Sequence, residues 1–163
     1  MTTPRIPRGL RLVTSNYSAG DPGGVRRTAV AGGAPRYAQD YARGTQQFRA
    51  SMILTAPQYA IWTLFYMHKI GRGAIGFEMD LDSGQGVRAH VCNIVPGSYS
   101  AEPAGGRVWT ITFVLEAEPS VYEFDEESAS DVLELWDEVG PDLDALLRRL
   151  ARFALSDTRV LEF

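Results

Sequence analysis

Along this chain, apolar residues first alternate with polar ones, then recur every three or four positions, then alternate again. From Phe48 to Leu54, Phe48, Ala50, Met52 and Leu54 alternate with Arg49, Ser51 and Ile53, which predicts a strand with one buried face. Ile75, Phe77, Met79 and Leu81 alternate with Gly76, Glu78, Asp80 and Asp82, a half-exposed strand running into the turn sequence DSGQG. In 87–95, Val87, Ala89 and Val91 interleave with Arg88, His90 and Cys92, so both faces are expected to be partly covered. In 107–118, Trp109, Ile111, Phe113 and Leu115 share an inner face, with Val108, Thr110, Thr112 and Val114 opposite. The first forty residues read as short strands joined by a Gly/Pro-rich loop, and 96–106 (PGSYSAEPAGG) as a long polar hairpin loop suited to interactions.

The helical period begins after Leu54. Thr55 and Gln58 have the spacing of a capping box, and Pro57 falls in the first turn, where backbone N–H groups lack intrahelical partners. Ile61, Leu64, Phe65 and His68 form a stripe that Trp62 and Met67 widen, so a helix over about 56–70 is expected, with His68 packed or half-buried and Gly71 as the stop. In the C-terminal third, Ser128 is the candidate cap, Val132, Leu135, Trp136 and Val139 follow, and Gly140 is the stop. Pro141 then opens a second helix with Leu143, Leu146, Leu147, Leu150, Phe153 and Ala154 in one stripe. The pattern predicts an α+β fold, mainly antiparallel: a β-sandwich or split barrel with one flanking helix over 1–124, and a C-terminal helical pair over 125–163.

Gly71, Gly73 and Gly76 have the G-x-G-x-x-G spacing of a dinucleotide-binding loop. That loop needs a strand before the glycines and a helix after them, so that the helix N-terminus receives the pyrophosphate. Here the helix comes first and the strand second, so the glycines are expected to form a helix C-cap and a tight turn.

Composition is that of an ordinary globular protein, 45% hydrophobic and 22% charged. No apolar run reaches membrane-spanning length, the start MTTPRIPRGLRLV lacks the apolar core of a secretory signal, and the single Cys92 excludes an internal disulfide. Charge changes the picture more. Residues 1–49 hold Arg5, Arg8, Arg11, Arg26, Arg27, Arg36, Arg43 and Arg49 against Asp21 and Asp40, whereas 116–144 holds acids and no base. Such segregation suits either solvated surface or contact between one subunit and the next, with Arg8, Arg11, Arg26 and Arg27 facing Asp125, Glu126 and Glu127 as the candidate interface. The basic part alone could face nucleic acid, which the acidic part would repel.

Catalytic signals are weak. Glu78, Asp80 and Asp82 alternate along one strand, His90 and Cys92 make half a zinc site, and Glu116 and Glu118 are a carboxylate pair without a defined cleft. The G-x-S-x-G, H-E-x-x-H and P-loop patterns are all missing. No catalytic, cofactor-binding or metal residue is assigned, and a non-enzymatic role is expected.

The ordered string RRTAVAGG, FRASMILT, APQYAIWTLFYM, GAIGFEMDL, HVCNIVPGSY and GRVWTITFVLEAEP resembles the minor tail proteins of long-tailed bacteriophages, the group that includes lambda minor tail protein M and the distal tail proteins. The matching positions are Arg27, Gly32 and Gly33; Leu54 and Thr55; Phe65; Gly73 and Phe77; and Trp109, Ile111, Phe113, Leu115 and Glu116. The likeness covers about 25–122; Met79 and Asp80 stand where the family often has Trp and Pro, and 125–163 has no counterpart in its shortest members. The resemblance implies a structural virion protein, assembled in the host cytoplasm and needing no cofactor. It further implies a homo-oligomeric, six-fold ring at the distal end of the tail, contacting the tail tube protein and tail hub proteins. Tape-measure protein and DNA would pass through its lumen. A head–tail connector or tail-completion ring is the alternative within that class, and a small nucleic-acid or peptide binding module the alternative outside it.

Overall fold

The face that carries Ile111, Phe113 and Leu115 becomes the centre of the molecule. The computed structural model describes residues 2–157 of the 163, with side chains described as far as Gly140 and at Asp142 and Ala145. It divides into two units, Met1–Tyr122 and Glu123–Phe163. The first contains β1 (Ser18–Ala19), β2 (Val25–Thr28), β3 (Arg36–Gln39), β4 (Gln46–Thr55), helix α1 (Ala56–Leu64), β5 (Phe77–Asp82), β6 (Val87–Ile94), β7 (Ser100–Gly105) and β8 (Val108–Ala117). The second contains α2 (Glu126–Asp157).

A six-stranded antiparallel sheet runs in the order β1-β4-β8-β6-β5, with β7 also on β8. One edge of β8 pairs with β4 along its whole length, from Gln46 opposite Ala117 to Thr55 opposite Val108. Its other edge is shared: β7 takes Val108–Thr112 and β6 takes Leu115–Ala117. At the fork, the Val114 N–H donates to Ser98 Oγ (3.0 Å) and the Val114 carbonyl accepts from the Val95 N–H (2.8 Å), so no backbone group is stranded there. The N-terminal segment closes the remaining gap. Pro4 and Ile6 bond to Glu78 on β5, while Val13 bonds to Ser51 and β1 pairs with Arg49 and Phe48 on β4. One sheet strapped between its two edges is the split-barrel form of the expected fold.

Tyr17 fastens that strap. Its hydroxyl donates to the Asp82 carbonyl (2.6 Å) and accepts from the Asp82 N–H (3.0 Å), while its ring stacks on Phe48. Inside lie Phe48, Ala50, Met52 and Leu54 of β4, Phe77, Met79 and Leu81 of β5, and Ile111, Phe113 and Leu115 of β8, all buried as their alternation predicts; Trp109 is half-buried, and Ile75, expected on the same face as Phe77, precedes the strand and is exposed. β6 departs from expectation: His90, Cys92 and Ile94 face inward and Val87 and Val91 outward, so one face is covered rather than both. Register dictates this, because Cys92 lies opposite both Phe77 and Ala117, whose side chains belong to the core. Burial pushes the Cys92 thiol up to about 12, and it donates weakly to the Phe77 carbonyl.

α1 begins where the sequence places it, with the expected capping box between Thr55 and Gln58. The Gln58 side chain accepts from the Thr55 N–H (2.9 Å), and the Thr55 hydroxyl also donates to that oxygen (3.1 Å). Of the predicted stripe, Phe65 and the flanking Trp62 are buried, while Ile61, Leu64, Met67 and His68 are not, so the buried face is the aromatic one. Trp62 is fully enclosed and stacks on Phe113 at 5.7 Å; Tyr59 stacks on Trp109 at 4.4 Å, and Phe65 meets Phe77 edge-on. Ile61 and Leu64 are at least half exposed, and His68 is exposed. Both faces of this helix are apolar, and the aromatic one buries the larger area. A wide π-type turn, Phe65–Lys69, re-aims the chain into the glycines. Gly73 has φ +94°, and a Cβ there would come within 2.9 Å of Ile94 Cβ, so the turn presses directly on β6. The helix, glycine, strand order holds.

Two expected elements take a different form. Residues 100–105 are strand β7 rather than loop, with Pro103 tolerated on a sheet edge beside an irregularity in register. The C-terminal pair is one 32-residue helix passing through Gly140 and Pro141. Gly140 serves not as a stop but as a seat for Trp136: a Cβ would lie 2.6 Å from the indole. The predicted stripe from Leu143 to Ala154 lies outside the described side chains.

Phe113→Ala and Trp62→Ala should each cost about 3–5 kcal/mol in urea unfolding, since each empties a fully buried site. Loss below about 1 kcal/mol would mean the aromatic face is not the packed one. Burial holds the Tyr17 hydroxyl above its ordinary value near 10, the Asp82 backbone contact opposing and its carboxylate adding. The unfolded chain therefore loses this proton first, and stability should fall as pH rises through and above about 10. Tyr17→Phe should make that alkaline decline shallower, measured as unfolding midpoint against pH, and should cost about 0.5–1.5 kcal/mol at neutral pH.

Candidate subunit interface

β2 and β3 stand apart from the main sheet as a two-stranded hairpin, and every residue in both is exposed. Isolated two-stranded hairpins are marginal in water, so this arm depends on its base and on whatever it meets. At the base, the Gly44 N–H donates to Tyr122 Oη (3.0 Å), the Arg43 guanidinium lies 5.2 Å from the Tyr122 ring, and Arg43 approaches Glu118 at 3.7 Å.

The register sorts the arm's side chains into two faces. Arg26 lies opposite Ala38 and Thr28 opposite Arg36, so Arg26, Thr28, Arg36 and Ala38 share one face. Val25 opposite Gln39 and Arg27 opposite Tyr37 make the other. Arg26 is engaged with Asp40 at 3.5 Å, whereas Arg27 has no ion-pair partner among the described residues. Val25 and Tyr37 are each over 60% exposed, so the Arg27 face combines an unpaired guanidinium, an exposed aromatic ring and an exposed aliphatic side chain. Tyr and Arg are the residues that most often anchor protein interfaces. The sequence pattern draws attention to Arg26 and Arg27 equally; only the cross-strand register separates them and recruits Tyr37.

Arg8 and Arg11 fall on the strap and are exposed. Arg11 borders a cleft of about 500 Å³ between strap and β5, lined by Ile6, Leu12, Met79, Leu81 and Val87. Asp125, Glu126 and Glu127 fall in the other unit, at the start of α2. The cap is Asp125, not Ser128: its carboxylate accepts from the Ser128 N–H at 2.7 Å. Those contacts to Ser128, side chain first and backbone second, hold the Asp125 carboxyl below its ordinary value. Glu126 and Glu127 occupy the first turn, where the helix dipole favours negative charge. These acids therefore have a task within their own helix.

The strand acids also have partners. Asp80 pairs with Arg5 (3.2 Å), and Glu116 accepts from the Thr45 hydroxyl (2.7 Å). His90 and Cys92 share the buried face of β6, and no group of three or more His, Cys, Asp or Glu comes together among the described residues. His90 makes a different contact. Its Nδ1 meets the Arg88 carbonyl (2.9 Å), which only accepts, so Nδ1 carries the proton and Nε2 can receive the Ser83 hydroxyl (3.2 Å). A histidine-bound serine is the arrangement of an activated nucleophile. Here Ser83 Oγ also meets the Ser120 hydroxyl (2.8 Å) and N–H (2.9 Å), which occupies both its lone pairs. The cluster ties the β5–β6 turn to the segment after β8.

Comparison with protein-family models, with curated proteins and with solved structures finds no match.

Because the Asp125 carboxyl is depressed in the folded chain, its contribution is present above the unfolded value near 3.8 and is lost as pH falls through the folded one. Helical circular dichroism should therefore decline on acidification. Asp125→Ala should lower the helical signal at neutral pH and flatten its acid dependence, and Asp125→Asn, which can still cap, should lower it less.

Proposed function

We propose that this chain is a structural subunit of a bacteriophage tail, forming a ring at the distal end of the tail tube and joining it to the tail-tip hub. One observation carries the reading. Of the positions on which the resemblance to minor tail and distal tail proteins rests, Leu54, Phe65, Phe77, Ile111, Phe113 and Leu115 converge on one core, while Arg27, Gly32, Gly33 and Thr55 are exposed. The apolar part of the motif string thus forms the packed interior of a strapped split barrel with a flanking helix.

The arm supplies the contact that such a ring needs. Rings close through heterologous interfaces, in which one surface of a subunit meets a different surface of its neighbour. An exposed hairpin with an unpaired Arg27 beside Tyr37 is a donor surface of that kind, and an acidic surface on the next subunit or on the tail tube or hub protein is its complement. Exposed ion pairs contribute only about 0.2–1 kcal/mol each, so their part is steering and register, with the Tyr37 ring and Val25 providing burial.

Light scattering on the purified chain tests this. Closed oligomers, or assembly with tail tube protein, should weaken as salt rises and the Debye length shrinks from about 10 Å at 0.1 M to about 3 Å at 1 M. Arg27→Glu and Tyr37→Ala should each reduce assembly at least tenfold, while Arg26→Glu, on the opposite face, should act less. All three should leave the unfolding midpoint of the sheet unit nearly unchanged. A chain that stays monomeric at every concentration and salt, and fails to join tail assemblies, would contradict the proposal.

A further inference from the structure

α2 holds a second surface, independent of the arm and of the tail reading. Within this helix, Ala129, Val132, Trp136, Val139, Leu143, Leu146, Leu150 and Phe153 occur at alternating steps of three and four. These are the a and d positions of a heptad repeat sustained for just over three heptads, the pattern by which helices pair along a seam. At about 1.5 Å per residue the helix is roughly 48 Å long, and in proteins most helical stability comes from packing of an apolar face. The described seam residues Val132, Trp136 and Val139 are 56%, 58% and 39% exposed. Gly140 and Pro141 do not interrupt the repeat, because the helix continues through them.

The pattern also indicates what covers the seam. Charges are sorted along the helix: Glu126, Glu127, Asp131, Glu134, Asp137, Glu138, Asp142 and Asp144 fill the first part, and Arg148, Arg149 and Arg152 follow. Two copies side by side in parallel would set acids against acids and arginines against arginines. Reversed, the arginine end of each lies beside the acidic end of the other. The apolar positions are self-complementary in that same sense. About a two-fold axis near residue 141, Ala129 falls opposite Phe153, Val132 opposite Leu150, Trp136 opposite Leu146 and Val139 opposite Leu143, each an a position against a d position. Small residues thereby meet large ones across the end layers. Asp142 is the one charged seam-flanking residue that approaches its own copy.

We propose that α2 pairs in antiparallel fashion with α2 of a second copy of this chain. Such a pair is isologous, so it is compatible with a separate heterologous contact through the arm.

Cross-linking of the full chain tests orientation, with the native thiol buried. Chains carrying Trp136→Cys, mixed with chains carrying Leu146→Cys and oxidised mildly, should give covalent dimers, and neither variant alone should do so. Dimers formed by either variant with itself would show parallel pairing and overturn the proposal. Sedimentation velocity supplies the second readout. Val139→Lys in the seam should weaken self-association at least tenfold, Asp137→Lys outside it should not, and Asp142→Asn should tighten it. A mass that stays monomeric in the parent chain, with no mixed cross-link, would also overturn it. Loss of pairing in Val139→Lys with ring assembly intact would separate this proposal from the tail reading.

Discussion

Everything in the sheet unit follows from how β8 satisfies its backbone. One edge is filled by a single ten-residue partner, β4, and the other must be divided between β7 and β6. Dividing it splits the sheet, because β7 and β6 leave β8 in different directions and Ser98 has to complete the ladder at Val114. α1 lies across the β7 side of the fork, with Trp62 stacked on Phe113 and its indole N–H donating to Tyr99 Oη at 3.2 Å. The β5 end, left as an edge, is met by the N-terminal segment, which crosses to β4 and is fastened by Tyr17. An unpaired edge is a site of unwanted association, and the strap occupies this one at Glu78 and Asp82.

With those edges covered, the surfaces that remain open stand out. Among the described residues, the β2–β3 arm and α2 are two places where exposed apolar side chains sit beside segregated charge. Neither is needed to complete the core, and each has the composition of a contact surface. The barrel is stabilised by burial of large aromatic residues, whereas the described side chains of the arm and of α2 bury little by themselves.

The four long strands and the helix were legible because their alternation is strict or their period is 3.6, and each buries the face its pattern marks, β6 and α1 excepted. Those exceptions have a shared cause. Where both faces of an element carry apolar residues, as with Ile61 and Trp62, periodicity alone does not choose, and tertiary packing does. β7 was hidden by Pro103 and by glycines at both ends, which read as loop until an edge position makes them tolerable. Gly140 looked like a stop because its seat for the Trp136 ring is invisible in sequence. For the candidate interface, charge segregation singles out the arginines and acids, but only register separates Arg27 from Arg26, and only the Ser128 contact shows Asp125 to be a cap.

The central claim is that the strapped barrel is complete in one chain while the arm and α2 are completed by other chains. Amide hydrogen exchange, followed from dilute to concentrated protein, measures this directly. At high dilution, 46–55 and 108–117 should exchange slowly while 25–39 and 126–140 exchange fast; on concentration, only the latter two should gain protection. Equal and concentration-independent protection of all four segments would contradict the account.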